Sequence, residues 1–286
     1  VSLFLTVTLN GLTVAALYFL VAVGFTLIFG LMRSVNLAHG SLYLLGGYLG
    51  YQVGEWSGNW YLALLAGALI VAVLGMAMHL FFLDWMQGED LRQALVSIGL
   101  SVVIADLLLA KFGSLTLQFQ PPEFLLDSIE LPLIGGYPLL RLSLLLVALG
   151  IGIVLWLGLN RTRFGAAIRA GVDDREMLSA LGINTSRLFV LVFAVGAGLA
   201  GLSGVLGGTV LSVSPGEDAR YLLSSLVVTI VGGMGSIVGA AVGAVLVGLV
   251  EQWGMAYLPT YAYMLIYVLM TAVLAWRPAG LFGRKA

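Results

Sequence analysis

The sequence predicts an all-α polytopic membrane protein with about eight membrane segments, one of them a glycine-broken re-entrant hairpin. Three observations carry this prediction. Hydrophobic residues make up 60 % of the 286 and charged residues only 9 %, where a soluble domain is about 25 % charged. That leaves too little polar surface for a water-exposed fold, and the same numbers exclude a disordered chain. Apolar runs of the ~20 residues that cross a bilayer as a helix recur along the whole length. Glycine is abundant, at 38 residues against a usual ~7 %, and in lipid it marks close helix contacts or deliberately broken helices. Residues 1–286 are therefore read as a single transmembrane domain.

The runs, in order, are 5–32, 37–54, 60–83, 93–112, 138–159, 188–212, 221–250 and 257–276. None shows the two-residue alternation of a barrel strand. Orientation follows from the basic residues, which concentrate on the cytoplasmic side. Arg161, Arg163, Arg169, Arg175 and Arg187 share one loop, and Arg277, Arg284 and Lys285 stand at the end. With both regions inside, an even number of crossings must separate them. The run 221–250 supplies the extra crossing if it enters from outside and turns back at Gly232-Gly233-Met234-Gly235. Two full crossings barely fit in that length at ~1.5 Å per residue, so a partial hairpin is expected. Trp253 and Tyr257 then join an outer aromatic belt. Working backwards, Arg33 and 84–92 lie inside. Trp56, Trp60, the segment 111–141 and residues 1–4 lie outside.

Small residues recur at four-residue spacing: Gly46, Gly50 and Gly54; Gly196, Ala200, Gly204 and Gly208; Ala240, Ala244 and Gly248. Each set lines one helix face and lets two backbones approach closely. Helix contact within the bundle is the plain reading, and sliding of helices during transport is the sharper one.

The loop 160–187 holds five arginines and three acids in a chain poor in charge. Asp173 and Asp174 are placed to cap a short helix. Met177, Leu178 and Leu181 share one face, and Gly182 follows as a C-cap. A two-turn amphipathic helix is expected over 174–181, with Arg175 and Glu176 in its ring of charge. Asn184-Thr185 gives a second turn signal. Such a finger presents a docking surface for another protein or rests on lipid headgroups.

Net charge is −1, and no basic excess points to nucleic acid. There is no cysteine, and two histidines make little material for a metal site. No nucleophile–base arrangement stands out, so no catalytic residue and no cofactor are expected. Neither lysine, Lys111 or Lys285, follows a glycine, so the chain lacks the G-x-x-x-x-G-K-[ST] phosphate loop. Energy for transport must come from an ATPase partner or an ion gradient.

Four phrases resemble the permease subunits of branched-chain amino acid ABC importers, in family order. These are N-L-A-H-G at 36–40, R-A-G-V-D-D-R-E-M-L-S-A-L-G-I-N-T-S-R-L-F at 169–189, V-G-G-M-G-S-I-V-G at 231–239 and R-P-A-G-L-F-G at 277–283. The length is similar to that of the smaller of the two permeases. The resemblance implies a bacterial inner-membrane protein working with a second related permease, two ABC ATPase subunits and an external solute-binding protein. It implies that Asp174, Arg175, Glu176, Met177, Leu178, Leu181, Gly182 and Asn184 form the coupling element for the ATPase. Asp174 and Ser179 depart from the strict E-A-A pattern of such elements. Close relatives carry urea or short amides, and a self-contained ion-coupled transporter is the reading from a different class.

Irregular backbone in a membrane is tolerated where it is buried or lines a cavity. Two such places are expected on the solute pathway: Asn36, His39 and Ser41, near the cytoplasmic end as gate or turn, and Gly232, Gly233, Met234, Gly235 and Ser236, reaching deeper. Asp106 is an intramembrane carboxylate. Glu251 is read as solvated beside Trp253, and His79 as lacking an acidic partner at i+3 or i+4. The stretches 215–220 and 112–137 are candidate contacts for the binding protein on the outer face.

Overall fold

A computed structural model describes residues 2–32, 34–132, 134–173 and 175–283. Eleven helices appear among them: α1 (Ser2–Phe25), α2 (His39–Ser57), α3 (Trp60–Met78), α4 (Asp90–Phe112), α5 (Leu139–Arg161), α6 (Arg163–Asp173), α7 (Arg175–Ala180), α8 (Thr185–Val210), α9 (Glu217–Gly232), α10 (Ile237–Tyr257) and α11 (Ala262–Trp276). A small antiparallel hairpin, β1 (Ser128–Leu131) with β2 (Gly135–Pro138), sits between α4 and α5.

Seven of the helical stretches are long and apolar enough to cross a membrane. Four helices fall outside this set: α6 and α7, which make up the cytoplasmic loop, and α2 and α9, which belong to the site described below. The run 221–250 does turn at its glycines. Its arms extend further than the apolar run, into α9 and α10. The outer arm therefore has length to cross, and only α9 is short. Polar caps end the helices where the sequence changes. The Asn59 side chain accepts from Tyr61 N and Leu62 N at the start of α3, and Ser236 Oγ accepts from Gly239 N at the start of α10.

Helices α1 and α8 form the buried centre, and α4, α5 and α11 form the periphery. The small-residue stripes are where the central helices meet. A Cβ on Gly46 would fall on the Gly201 backbone, one on Gly204 on the Tyr43 carbonyl, and one on Gly24 on the Gly196 carbonyl. Gly248 likewise lies on Gly11 and Ala15 of α1. Here the stripes serve helix contact, the plainer of the two expectations.

Candidate functional site

Helix α2 starts inside the bundle. Residues 34–38 climb beside α4: Ser34 Oγ and Val35 N–H donate to Gln93 Oε1 at 3.2 and 3.0 Å, and Leu37 N–H donates to Ser97 Oγ at 3.0 Å. Ser41 then meets the Ser101 hydroxyl at 2.6 Å. Ser101 lies about 17 Å along α4 from Asp90, at ~1.5 Å per residue. The segment therefore rises from the first two turns of α4, where Asn36 lies between the Gln93 and Ser97 contacts, to mid-helix at Ser41, deeper than the cytoplasmic end expected for the start of α2. Asn36 Oδ1 accepts from Ala38 N–H at 3.0 Å and shapes the turn into α2. His39 Nε2 donates to the Val21 carbonyl at 3.0 Å, which leaves Nδ1 bare. That nitrogen and Asn36 Nδ2 are buried without hydrogen-bond partners. Asn36, His39 and Ser41 are completely buried, so they belong to the wall of the bundle in this conformation.

Helix α9 also starts inside. Asp218 accepts from Ser41 Oγ at 3.3 Å, and its carbonyl lies where a Cβ on Gly40 would go. Only glycine lets the two helix starts cross this closely. One turn on, the Tyr43 and Tyr221 rings stack at 3.9 Å, and Tyr18 meets Tyr221 edge-on at 6.4 Å. Tyr18 Oη donates to Glu251 Oε2 at 2.6 Å, and Arg220 Nη2 donates to Glu251 Oε1 at 3.4 Å. Glu251 is 1 % exposed. Its reading as a solvated interfacial residue is overturned: it faces α1 and α9. The signal was present, since Glu251 continues the Ala240–Ala244–Gly248 stripe at helical spacing. Tyr18, Tyr43, Ser101 and Tyr221 escaped the sequence reading, because aromatic and hydroxyl residues in apolar helices carry no motif, and Arg220 enters that reading only as part of the stretch 215–220. Within the stretch 215–220, Asp218 turns to Ser41 inside the bundle, while Gly216 and Ala219 are exposed and Arg220 is partly so.

The glycine break lies elsewhere. Gly232, Gly233, Met234, Gly235 and Ser236 form the α9–α10 turn, level with Gly30 near the inner end of α1, whose Cβ position would fall on Gly235. The C-terminal phrase folds onto it. Leu281 N–H donates to the Val231 carbonyl at 3.0 Å and Phe282 N–H to the Gly232 carbonyl at 2.9 Å. Gly233 (φ 104°) and Gly280 (φ 79°) face each other in conformations that favour glycine. Two phrases far apart in sequence are therefore halves of one contact. Met234, Gly235 and Ser236 line a cleft of about 690 Å³ with Asp90, Asn160 and Arg169. The break sits at the inner end and the α2 start deeper, the reverse of the expected order. The structure does not bring the two sets together.

The cytoplasmic loop is two helices. Helix α6 runs through Asp173, so that residue ends a helix where it was expected to begin one. Asp174 lies outside the described residues, and only the backbone of Arg175 and Glu176 is described, within α7. The expected apolar ridge is divided. Leu178 is buried with Leu27, Ile168, Leu188 and Val192, while Met177 and Leu181 are 63 % and 72 % exposed. A six-residue helix turns too few side chains inward to bury all three. Gly182 takes φ 82° as expected of a C-cap. Asn184 Oδ1 accepts from Arg187 N–H at 3.0 Å and caps α8, which accounts for its place in the loop.

Two other titratable groups are located. His79 lies 3.7 Å from Asp84, a neighbour at i+5 brought near by a π-helical turn over His79–Leu83. Asp106 is exposed on a face it shares with Val102, Val103 and Leu107.

Comparison with known proteins adds the following. The family model described as branched-chain amino acid transport system / permease component matches residues 7–274. The chain is 30 % identical to the high-affinity branched-chain amino acid transport system permease protein LivH of Escherichia coli K12, covering 98 % of this chain and 96 % of that one. It is 28 % identical to the corresponding protein BraD of Pseudomonas aeruginosa, covering 96 % and 94 %. Among solved structures it is similar in fold to PsaBC from Streptococcus pneumoniae in complex with Fab. That match has a TM-score of 0.51 and 13 % identity, over 92 % of this chain and 87 % of that one.

Proposed function

Because this chain belongs to the branched-chain amino acid transport system permease family, we propose that it forms the solute pathway of an ATP-driven importer for branched-chain amino acids. It works as a multi-pass protein of the bacterial inner membrane. A second related permease completes the pathway, two ABC ATPases drive it, and an external binding protein delivers the solute. The family match over nearly the full length carries the reading, and the cytoplasmic finger supports a mechanism for it. Leu178 roots the finger in the core beside α8, and Met177 and Leu181 offer an apolar tip. Seated in an ATPase groove, that tip would pass closure of the nucleotide sites to α8. Helix α8 packs on α2 and α3 through glycine, so its displacement moves the wall around the α2 and α9 starts.

The test is affinity purification of the chain from its native membrane in mild detergent, with mass spectrometry of what accompanies it. Reconstitution into liposomes follows, with uptake of labelled leucine measured with and without ATP. Recovery of P-loop ATPases and a second permease, with ATP-dependent uptake, is the expected result. Recovery of the chain alone, moving solute without ATP, overturns the proposal.

A further inference from the structure

The charges around the start of α9 are of a kind that packing alone does not explain. Glu251 is a carboxylate 1 % exposed inside a membrane helix. Its cationic partner, Arg220, keeps 40 % of its side chain exposed, and Glu217 keeps 27 %. Arg220 stands about 18 Å above the Gly232 end of α9, at ~1.5 Å per residue, well within a hydrocarbon core ~30 Å thick. Ionisable groups at such depth face a water-filled cavity or the inside of a bundle and mark solute routes. The flank of α9 that carries Arg220 also exposes Ala219 and Leu223.

The ion pairs leave the guanidinium with capacity. Arg220 reaches Glu251 at 3.4 Å and Glu217 at 3.8 Å, both longer than the ~2.8 Å of a tight charge-assisted contact. A guanidinium has five N–H donors in a planar fork that fits a carboxylate in bidentate fashion. Behind it, Tyr18 holds Glu251 with a 2.6 Å hydrogen bond, so the anion that anchors Arg220 is itself fixed. Next to it, Asp218 keeps one oxygen on Ser41, and Glu217 is partly open. A cationic fork and the Glu217 carboxylate, one helical turn before it, thus stand side by side on the exposed flank of α9, while Asp218 faces α2.

We infer that this cluster holds the charged head of the transported amino acid: Arg220 receives the α-carboxylate, and Glu217 receives the α-ammonium. Tyr18 and Glu251 are positioning residues that act through Arg220. The inference rests on the importer reading and gives its pathway a zwitterion site. The solute's side chain would be left to the apolar flank of α9 at Leu223. An approaching carboxylate replaces Arg220's long contacts with short ones.

The test uses the whole importer in liposomes, with labelled leucine and the loaded binding protein. The double variant R220Q/E251Q removes both charges together and leaves no fully buried carboxylate unpaired, since Glu217 is partly exposed. It should assemble and hydrolyse ATP on addition of the binding protein, with leucine uptake down by roughly tenfold or more, the scale of one lost ionic contact. Uptake within about twofold of the parent, a change too small for such a contact, would make the pair structural and overturn the inference. The second measurement does not depend on that variant folding. The chain has no cysteine, so Leu223→Cys is a single reporter. A membrane-impermeant thiol reagent should modify it in the assembled importer, more slowly during turnover with leucine. No modification, or modification indifferent to leucine, overturns the inference. If the parent importer itself moves no leucine under ATP, it is the importer reading that fails.

Discussion

Glu251 shows how one residue's meaning depends on the face it occupies. Beside Trp253 in sequence, it reads as an interfacial acid in water. On the α10 stripe it is drawn into the contact with α1, where Tyr18 reaches it at 2.6 Å. A buried carboxylate oxygen that loses such a donor keeps its desolvation penalty, ~1–3 kcal/mol. Tyr18→Phe should therefore lower the midpoint of thermal unfolding in detergent and weaken assembly, while a Phe at exposed Tyr263 changes neither. Equal midpoints for Tyr18→Phe and the parent would show that Glu251 is satisfied without Tyr18. Glycine gives a second contrast at this scale. A Cβ on Gly46 meets the Gly201 backbone, whereas one on Gly99 meets nothing within 4 Å. Gly46→Val should cost ~1–3 kcal/mol or more by overpacking and reduce the folded yield on size exclusion. Gly99→Ala should match the parent. The four-residue stripe of Gly46, Gly50 and Gly54 was legible in sequence, and Gly99 lies outside any such stripe.

At the scale of elements, the finger was legible in outline and altered in detail. The concentration of charge at 160–187 and the C-cap at Gly182 were in the sequence. That Leu178 turns inward while Met177 and Leu181 stay outside depends on Ile168, Leu188 and Val192, contacts that local periodicity does not encode. The division of roles makes a prediction. Leu181→Asp leaves the core of the finger intact and places a charge on its tip. It should sever association with the ATPase by more than tenfold, given ~1.4 kcal/mol per decade, with unchanged thermal midpoint for the isolated chain. Leu178→Ala should instead lower that midpoint, by ~2–5 kcal/mol in stability. Gly182 takes φ 82°, so Gly182→Val strains the turn between α7 and α8. ATP hydrolysis should then persist while leucine uptake falls. Assays of pull-down and uptake on the three variants separate the roles, and an ATPase complex retained by Leu181→Asp would remove the tip from the interface. The glycine break was likewise visible at 232–236, but its contact with 280–283 was not. A backbone pairing between segments that share no pattern leaves no trace in either one.

Across the whole molecule, alternation of spans was the most legible feature, because it rests on length, apolarity and the side taken by arginine. What sequence could not supply was the depth at which α2 and α9 begin. Both are preceded by non-helical chain held by distant segments: Gln93 and Ser97 side chains hold the chain before α2, and backbone pairing of Val213 with Leu117 holds the chain before α9. An apolar-run count treats such segments as ordinary loops. The orientation that follows places the β1–β2 hairpin and the α10–α11 turn on one side of the membrane, and the finger and the C-terminal phrase on the other. The absence of cysteine makes this directly testable in cells. Leu126→Cys, exposed ahead of β1, should react with an impermeant maleimide added outside intact spheroplasts. Met177→Cys, exposed on α7, should react only after the membrane is inverted or opened. Reaction of Met177→Cys from outside would reverse the orientation. With the finger then turned away from the cytoplasm, ATPase coupling through α7 would have no physical route.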